Sequence, residues 1–401
     1  MQFEITTGGW STPFRPRENL VLNWFVSGHD FSRADKHLYF LSGAGFSRRH
    51  RTAQSGVFPQ PVEGVPHSAG KRAHFNMPSA RFAAARPEAD GRLPSYNRRM
   101  RPRYRWQLRS RSLDLGERTL LMGVVNVTPD SFYDGGSFIS PDKAVEHGLR
   151  LLDEGADILD IGGESTRPGA HLTGDAPAAP ARPGVSAQEE LRRVMPVLEG
   201  ILRVRPDAVL SVDTYKATVA QAAVAAGAEV VNDVSAFQWD PQMAAAIADL
   251  KCGVVLMHTR GRPEEWRKLP VEHDLPSLVE AELASRAQGA LEQGIERSRI
   301  VLDPGFGFGK NFEENYPLLA HLELLQPLGF PVLAGTSRKS FVGRTISKRT
   351  DREVPPSERL FGSLAAMVAS ILHGAHVVRV HDVRASVEAA AIADQILAAG
   401  P

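Results

Sequence analysis

The sequence predicts an α/β protein built as a (β/α)8 TIM barrel, preceded by a basic and disordered N-terminal extension. Eight short apolar runs alternate with stretches of helical periodicity from residue 120 to residue 397. Each run stops at a polar or charged residue or at a Gly-bounded polar loop, which is how such a barrel collects an active site at one face. Short connections between the runs favour parallel strands joined by right-handed crossovers.

The eight apolar runs are the predicted barrel strands. In chain order they are Leu120–Val125, Ile158–Leu159, Ala208–Val212, Val230–Val231, Val254–Met257, Ile300–Leu302, Val332–Ala334 and Val377–Val380. The polar positions that follow them are Asn126, Asp160, Asp213, Asn232, His258, Asp303, the loop Gly335–Ser340 and His381.

Capping residues mark the predicted helices between the strands. Ser140 followed by Pro141 indicates an N-cap and a first helical turn, and Gly155 ends that helix. Ser186 and Glu189 form a capping box for the next helix. The other predicted helices are Thr218–Ala226, Ser277–Leu291, Ser357–Leu372 and Ser386–Leu397, the last capped by Asp382.

An open, doubly wound sheet is the alternative fold. It is disfavoured because no Gly-rich dinucleotide turn follows the first strand. The string Gly305–Lys310 has the spacing of neither a dinucleotide fingerprint nor a phosphate loop. A tight turn between a strand and a helix accounts for it.

The charge distribution divides the chain near Leu113. Residues 1–112 hold 2 Lys and 17 Arg against 7 acidic residues, a net charge of +12, whereas the remainder carries −11. We therefore place an extension at 1–112 and the barrel at 113–401. The run Arg98–Arg111 is basic and contains Tyr104 and Trp106, as in segments that bind nucleic acid or an anionic surface.

Two further interpretations of the extension stay open. An Arg-rich, acid-poor segment also suits an organellar presequence. We favour an unstructured extension without a selected role, for which Met100 is a candidate true start, since composition alone cannot force structure on such a segment.

Composition also excludes several classes of protein. The single cysteine, Cys252, rules out an intrachain disulfide and any multi-cysteine zinc site, and we interpret it as a core residue. No apolar run approaches 18 residues, so no membrane span is expected. A reducing, cytoplasmic location agrees with this cysteine usage.

Three strand ends in mid-barrel carry hydrogen-bond acceptors. Asp213, Asn232 and Asp303 each end a predicted strand, so their oxygens should converge. Such a set suits a flat heterocycle with several N–H donors.

Two long loops and one basic set complete the candidate site. The loops 126–136 and 160–169 follow the first two strands, and Arg167 in the second offers a fork for a carboxylate or phosphate. Lys339, Arg379 and His381 follow the last two strands, where this fold recurrently binds phosphate. Ser340 should lie at a helix N-terminus, which favours an anion.

Taken together, these segments closely resemble the dihydropteroate synthase family. The matching strings cover residues 113–399 in the family's order and are MGVVNVTPDSFYDGG, DIGGESTRPGA, SVDTYK, VNDVSAF, LMHTRG, LDPGFGFGKN, GTSRKSFVG, PSERLFGSLA and RVHDV. No single string is decisive, but nine in order are highly specific. Residues 1–112 lie outside the resemblance.

The resemblance implies a fold, a reaction and partners. The fold is the (β/α)8 barrel. The reaction joins 6-hydroxymethyl-7,8-dihydropterin pyrophosphate to p-aminobenzoate, with Mg2+ as cofactor, to give 7,8-dihydropteroate and pyrophosphate in folate biosynthesis. It also implies a sulfonamide target and a homodimer, with nucleic acid binding confined, if present, to the basic extension.

The resemblance assigns residues to the pterin substrate. Asp213, Asn232 and Asp303 match contacts to the pterin ring, Lys339 lies near the ring, and Thr166 matches a further contact to this substrate. Asn126 matches the position associated with Mg2+ and pyrophosphate. The pyrophosphate anion is matched by Arg379 and His381.

It also assigns residues to the second substrate and to catalysis. Ser340 matches the site of the p-aminobenzoate carboxylate. The expected catalytic groups are Asp134, Lys339, Arg379 and His381, with Asp134 stabilising a cation that develops on the pterin methylene. The loop positions that match closure over p-aminobenzoate are Phe132, Asp134, Ser165, Arg167 and Pro168.

Three features depart from the family pattern, and two other functions are alternatives to the one that the resemblance implies. Tyr133 replaces a small Ser, Thr336 replaces a larger apolar residue or Val, and Ala170–Pro183 lengthens the second loop. A pterin-barrel methyltransferase acting with a corrinoid protein would lack the Ser-Arg-Lys-Ser and Arg-Val-His strings. A non-enzymatic barrel that binds pterin or anions would be indicated by loss of Lys339 or Arg379, and both are present.

Overall fold

The computed structural model describes residues 101–128, 140–165 and 184–399. A two-stranded antiparallel hairpin, β1 (Tyr104–Gln107) and β2 (Ser112–Leu115), precedes the barrel. The barrel strands within these ranges are β3 (Leu120–Asn126), β4 (Ile158–Gly162), β5 (Leu210–Asp213), β6 (Val230–Asp233), β7 (Gly253–Met257), β8 (Ile300–Asp303), β9 (Leu333–Ala334) and β10 (Val377–Val380).

The eight barrel strands are parallel and form a nearly closed cylinder. Their hydrogen-bonded order is β8, β7, β6, β5, β4, β3, β10, β9. A bridge between Leu302 and Val332 joins the two edges, and the Leu302 N–H donates to the Pro331 carbonyl at 2.9 Å. The predicted (β/α)8 barrel is confirmed, because a parallel sheet that closes on itself leaves no open doubly wound edge.

Helices follow the strands and cover the outside of the barrel. In the described residues they are α1 (Pro141–Asp153), α2 (Ala187–Val204), α3 (Ala217–Ala225), α4 (Met243–Leu250), α5 (Leu275–Glu292), α6 (Asn315–Ala320), α7 (Ser340–Thr350), α8 (Leu360–Leu372) and α9 (Val383–Ala398). None of the helices in these ranges is long and apolar enough to cross a bilayer.

The two predicted serine caps are confirmed, but the cap of the last helix is not. The Ser140 and Ser186 hydroxyls accept the N–H groups of Asp142 and Glu189, each at 3.2 Å. Asp382 lies at the N-cap of α9, yet its side chain makes no capping bond. Its carboxylate is instead occupied by an arginine from the preceding loop, described below.

Residues 101–112, which the sequence placed in the low-order extension, are folded. Residues 101–112 are ordered and form β1, the turn and the start of β2. Trp106 and Leu108 are fully buried against residues at the N-terminal ends of the barrel strands, among them Val230. The Trp106 indole N–H donates to the Arg299 carbonyl at 2.9 Å. This hairpin closes the barrel at the face opposite to the predicted site. No periodicity in the sequence predicts it.

Arginines in this stretch contact the barrel. Arg101 is 8% exposed, donates to Thr119 Oγ1 at 2.8 Å and pairs with Asp394 at 3.0 Å. Arg109 and Arg111 donate to main-chain carbonyls at 2.9 and 2.8 Å. These three side chains therefore bind the barrel, so residues 101–111 belong to the folded structure rather than to an unstructured extension. Met100 and residues 1–99 lie outside the described residues.

Cys252 is a buried core residue, as predicted. Its side chain is fully enclosed just before β7. Burial raises the pKa of the thiol to about 12. The uncharged thiol is therefore the form present at neutral pH, and the residue packs as a small apolar side chain.

Candidate active site

Most of the predicted site residues lie in the described part of the chain, at the carboxyl ends of the barrel strands. These are Asn126, Ser165, Asp213, Asn232, Asp303, Lys339, Ser340, Arg379 and His381. The predicted residues outside the described ranges are Phe132, Asp134, Thr166, Arg167 and Pro168, together with Tyr133 and the insertion Ala170–Pro183.

Asp160 organises the centre of the site. This residue of β4 is fully buried. Its Oδ1 accepts the Ser211 hydroxyl at 2.6 Å, and its Oδ2 accepts the Asn232 amide at 2.9 Å and Arg379 Nε at 2.6 Å. The sequence placed Asp160 in the candidate loop 160–169 but gave it no contact in the site, although the same strand-end position had selected Asp213, Asn232 and Asp303.

Arg379 does not stand apart from the acceptor set. From β10 it reaches across β3 to Asp160, and its Nη2 also donates to Asp213 Oδ2 at 2.8 Å. The two carboxylates raise its pKa in spite of burial, which opposes the charged form. Arg379, which the sequence grouped with Lys339 and His381 as a basic set, therefore lies among the acceptors.

Burial changes the protonation of the two aspartates at the centre. Desolvation raises the pKa of Asp213 to about 7, although Arg379 stabilises its charge; Asp160 and Glu190 push it further upward. Burial likewise raises the pKa of Asp303 to about 6, although the Gly305 N–H donates to its Oδ1 at 2.7 Å. Both carboxyl groups can thus gain or lose a proton near neutral pH.

Asn232 presents an unsatisfied acceptor between these aspartates in the strand order. The residue is 3% exposed, and its amide nitrogen is held by Asp160. Its Oδ1 is buried and accepts no hydrogen bond from the described part of the chain. Since a buried carbonyl oxygen is costly to leave unpaired, this atom indicates a ligand that donates an N–H group.

Lys339 supplies a further positive charge that interacts with Asp303 and Asp213. Its ammonium lies 4.0 Å from the centre of the Phe308 ring, a cation–π contact that sequence reasoning missed. Burial and then Arg379 lower the pKa of Lys339 to about 8, while Asp303 and Asp213 oppose the change. At neutral pH the group is mostly protonated and can bind an anion.

The two loops that carry the cations are bound to each other. His381 Nδ1 lies 3.0 Å from the Ser337 hydroxyl, and Arg338 pairs with Asp382, with Nε donating to Oδ2 at 3.0 Å. Arg338 has φ of +56°, a left-handed conformation that a non-Gly residue rarely adopts. Ser340 then begins α7, as predicted, and is exposed.

A second buried ion cluster, also missed from the sequence, joins the loops after β4 and β5. The Lys216 ammonium contacts the carboxylates of Glu164 and Glu190, the latter at 2.5 Å. Glu164 also accepts the Val185 N–H at 3.2 Å, so it links the two described ends that flank residues 166–183. Thr336, one of the three departures from the family pattern, is buried, and its carbonyl accepts the Lys339 N–H at 3.4 Å.

The fold and this face together define a class of protein. Paired acids with raised pKa values, an orphan amide oxygen and a set of cations lie at the C-terminal face of a (β/α)8 barrel. The family model described as a pterin binding enzyme matches residues 122–381, which include every strand from β4 to β10.

Individual relatives narrow this class. A dihydropteroate synthase of Bacillus subtilis is 42% identical over 290 residues, covering 72% of this chain and 92% of the relative. A solved dihydropteroate synthase of Xanthomonas albilineans with 4-aminobenzoic acid is 45% identical, with a TM-score of 0.64, covering 75% of this chain and all of the other. A second structure of that enzyme, with 7,8-dihydropteroate, is 44% identical with a TM-score of 0.61, covering 74% of this chain and all of the other. This chain belongs to the dihydropteroate synthase family and is a transferase.

Proposed function

We propose that this site joins 6-hydroxymethyl-7,8-dihydropterin pyrophosphate to p-aminobenzoate, with Asp213, Asn232 and Asp303 binding the pterin ring. The observation that carries the assignment is the buried, unpaired Oδ1 of Asn232. A pterin edge offers several N–H donors in one plane, which an amide oxygen and two carboxylates can accept. Support also comes from the Xanthomonas albilineans relative, solved with 4-aminobenzoic acid and with 7,8-dihydropteroate.

Lys339, Arg379 and His381 are proposed to act on the pyrophosphate end of the same substrate. A protonated Lys339 attracts the leaving group, and Arg379 keeps positive charge at the centre because two aspartates hold it. Such fixed cations stabilise the negative charge that develops on a departing pyrophosphate. Arg379 is half-buried and doubly paired, so its contribution is to the field at the site rather than as a mobile clamp.

Mg2+ is proposed as the cofactor, with Asn126 at the end of β3 as its protein ligand. Mg2+ takes oxygen ligands, keeps several waters and is commonly held by one or two protein groups plus substrate phosphates. An amide oxygen meets that requirement. No cluster of three or more His, Cys, Asp or Glu suited to a metal occurs in the described ranges. Bound there, Mg2+ would neutralise charge on the pyrophosphate.

The chemical step breaks one bond and forms another. The C–O bond of the pterin methylene breaks, and its electron pair leaves with pyrophosphate. The arylamine nitrogen of p-aminobenzoate then bonds to this carbon and loses a proton. Ser340 at the N-terminus of α7 is proposed to bind the p-aminobenzoate carboxylate. The roles of Ser165, Thr166, Arg167, Pro168, Phe132 and Asp134 stay predictions from the resemblance.

A pyrophosphate-release assay tests the proposal. With both substrates and Mg2+, release should depend on p-aminobenzoate and fall at least about a hundredfold in Lys339→Ala, as expected when a charged contact to the leaving group is lost. Lys143→Ala, an exposed lysine of α1, is the matched control and should behave as wild type. Equal rates in wild type and Lys339→Ala would contradict the role of the loop after β9.

The pterin contacts need a separate test. Asn232→Leu removes the orphan oxygen while roughly keeping the volume, and it should abolish measurable binding of the pterin product. A variant that is folded, by circular dichroism, and still binds 7,8-dihydropteroate with wild-type affinity would exclude Asn232 from the pterin site.

A homodimer is also proposed, with α8 at the interface. None of its thirteen residues is charged, and Phe361 is 83% exposed. Ala365, Val368 and Leu372 continue from Phe361 along one stripe of the helix, none of them fully buried. A helix that is apolar all round is normally covered on all sides, so a second copy of the chain is the proposed cover.

Light scattering on the purified chain tests the dimer. The molar mass of wild type should be that of a dimer and the molar mass of Phe361→Glu that of a monomer. Val271→Glu, at another exposed apolar position, should keep the mass of the wild type. A wild-type monomer, or a dimer that survives Phe361→Glu, would contradict this interface.

A further inference from the structure

Lys310 lies beneath the loop after β8 and has no part in the proposed chemistry. Its side chain is buried, 8% exposed. It directly follows Gly309, the last of three alternating glycines in the loop after Asp303. Its ammonium donates to three main-chain carbonyls, those of Gly305 at 2.8 Å, Phe308 at 3.1 Å and His258 at 3.3 Å. Convergent carbonyl oxygens of this kind are what a small monovalent cation would require.

The fourth partner of the ammonium is His258 Nδ1 at 3.0 Å. Burial and then Lys310 lower the pKa of His258 to about 3, so the ring is neutral and Nδ1 can accept the hydrogen bond. The ring proton then lies on Nε2, which faces the Glu282 carboxylate at 3.2 Å, outside hydrogen-bond angle. Arg286 beside Glu282 donates to the Met257 carbonyl at 3.3 Å and closes the cluster.

The carbonyls bound by Lys310 belong to the loop that shapes the proposed site. Gly305 donates its N–H to Asp303 Oδ1 at 2.7 Å, and the Phe308 ring carries the Lys339 ammonium at 4.0 Å. Gly305 has φ of +67°, and a Cβ there would lie 1.9 Å from the His258 carbonyl oxygen. A side chain at residue 305 would therefore clash with the loop after β7, so a glycine is required there. The carbonyl oxygens that crowd together at this point are held by the central ammonium of Lys310.

We propose that Lys310 is a positioning residue that acts as an internal cation, holding residues 304–310 so that Asp303 and Phe308 face the substrates. It acts through Gly305 on Asp303 and through Phe308 on Lys339. Burial lowers the pKa of Lys310 well below its ordinary value, Asp303 raises it, and Arg286, Lys339 and Arg260 lower it further. The charged form is nevertheless the one that the geometry requires, because three carbonyl oxygens can only accept hydrogen bonds and a neutral amine has two N–H donors. The inference rests on the proposed role of Asp303 in pterin binding.

Steady-state kinetics on three Lys310 variants test the proposal. Lys310→Met keeps the volume without the ammonium and should lower kcat/KM for the pterin substrate at least about thirtyfold. Lys310→Arg keeps a cation and should retain more activity than Lys310→Met. Lys310→Ala should regain at least about tenfold on addition of n-propylammonium, which replaces the lost atoms. The same salt should not affect Lys310→Met, whose side chain fills the space.

Each outcome decides the matter. Full activity in Lys310→Met, or a Lys310→Ala variant that is folded but does not respond to n-propylammonium, overturns the proposal. Unfolding of Lys310→Ala that n-propylammonium does not reverse also overturns it, since the lysine would then serve the whole fold rather than one loop. If Asp303→Ala is as active as wild type, the pterin assignment fails; if only Lys310→Met is fully active, this inference alone fails.

Discussion

Arg379 Nε donates to Asp160 Oδ2 at 2.6 Å, which joins two barrel strands that lie on either side of β3. The same carboxylate binds Asn232 and Ser211, so one buried residue orients the arginine and the amide together. Side chains from alternate strands form the layers inside a (β/α)8 barrel, and here one such layer is polar. A buried network of this kind is stable only while each charge keeps its partner.

Asp160→Asn should therefore cost both stability and substrate binding. The change leaves the half-buried Arg379 with Asp213 as its remaining carboxylate partner, and breaking a buried pair typically costs about 3 kcal/mol or more. Urea unfolding and product binding measure the two effects. Asp114→Asn, which breaks an exposed pair with Arg105, is the control and should change the free energy of unfolding by less than about 1 kcal/mol. An Asp160→Asn protein as stable as its control would show that Asp160 does not hold the site.

The dependence of kcat/KM on pH should be bell-shaped. In the proposed pterin contacts Asp213 and Asp303 act as carboxylates, so the rate should rise as pH passes about 6 to 7. The proposed role of Lys339 toward pyrophosphate requires its protonated form, so the rate should fall as pH passes about 8. This profile describes the groups of the free enzyme.

Lys339→Arg should remove the alkaline limb of that profile. Arginine stays protonated over the whole range, whereas a lysine with a pKa of about 8 does not. The measurement is kcat/KM for the pterin substrate between pH 6 and about 10, within the range that arginine remains charged. An alkaline limb that persists unchanged in the variant would assign it to another group.

Trp106→Ala should destabilise the chain without a direct effect on the site. The indole is fully buried under the barrel and donates to the Arg299 carbonyl, and truncating a buried Trp costs about 3 to 5 kcal/mol. Thermal unfolding measures the loss. A protein beginning at Met100 keeps this hairpin and should match the full chain in melting temperature and turnover, whereas a truncation to residue 116 should not. Equal stability of both truncations would refute a role for the hairpin.

Acid should destabilise the fold partly through His376. Its Nδ1 accepts the Val332 N–H at 3.1 Å and its Nε2 lies 3.0 Å from the Pro102 carbonyl, so the native ring is neutral. Burial lowers its pKa from 6.5 to about 4. Below pH 6.5 the His376 ring binds a proton in the unfolded chain, whereas in the folded chain it stays neutral down to about pH 4. Stability present above 6.5 is thus lost between these values, by roughly 3 kcal/mol.

His376→Gln should reduce that acid sensitivity, because Gln can donate and accept but does not titrate. The free energy of unfolding in urea at pH 7 and pH 5 should differ less in this variant than in wild type. His273→Gln, at an exposed position, is the control and should keep the wild-type difference. Identical pH dependence of the free energy of unfolding in all three proteins would show that His376 does not contribute to the acid sensitivity.

The local sequence was sufficient for the barrel strands and for the family. Each predicted strand overlaps an observed one, because apolar runs and capping residues act over a few neighbours. The family strings were equally legible since they are contiguous. Residues 101–112 escaped prediction because Trp106 and Leu108 are stabilised in a cluster that includes strand residues 100 or more positions away, such as Val230 and Val301, and local periodicity does not record such partners.

Which residues would lie at the face was thus determined by sequence alone: strand ends of a parallel barrel meet at one side, whatever the packing details. Which of them would bind one another was decided only by the tertiary structure. Asp382 binds Arg338 rather than its own helix, Arg379 lies among the acceptors, and Lys310 gathers carbonyls from two loops. Pairing and burial depend on distances between strands far apart in the chain, and these distances set both the partners and the pKa values of the site.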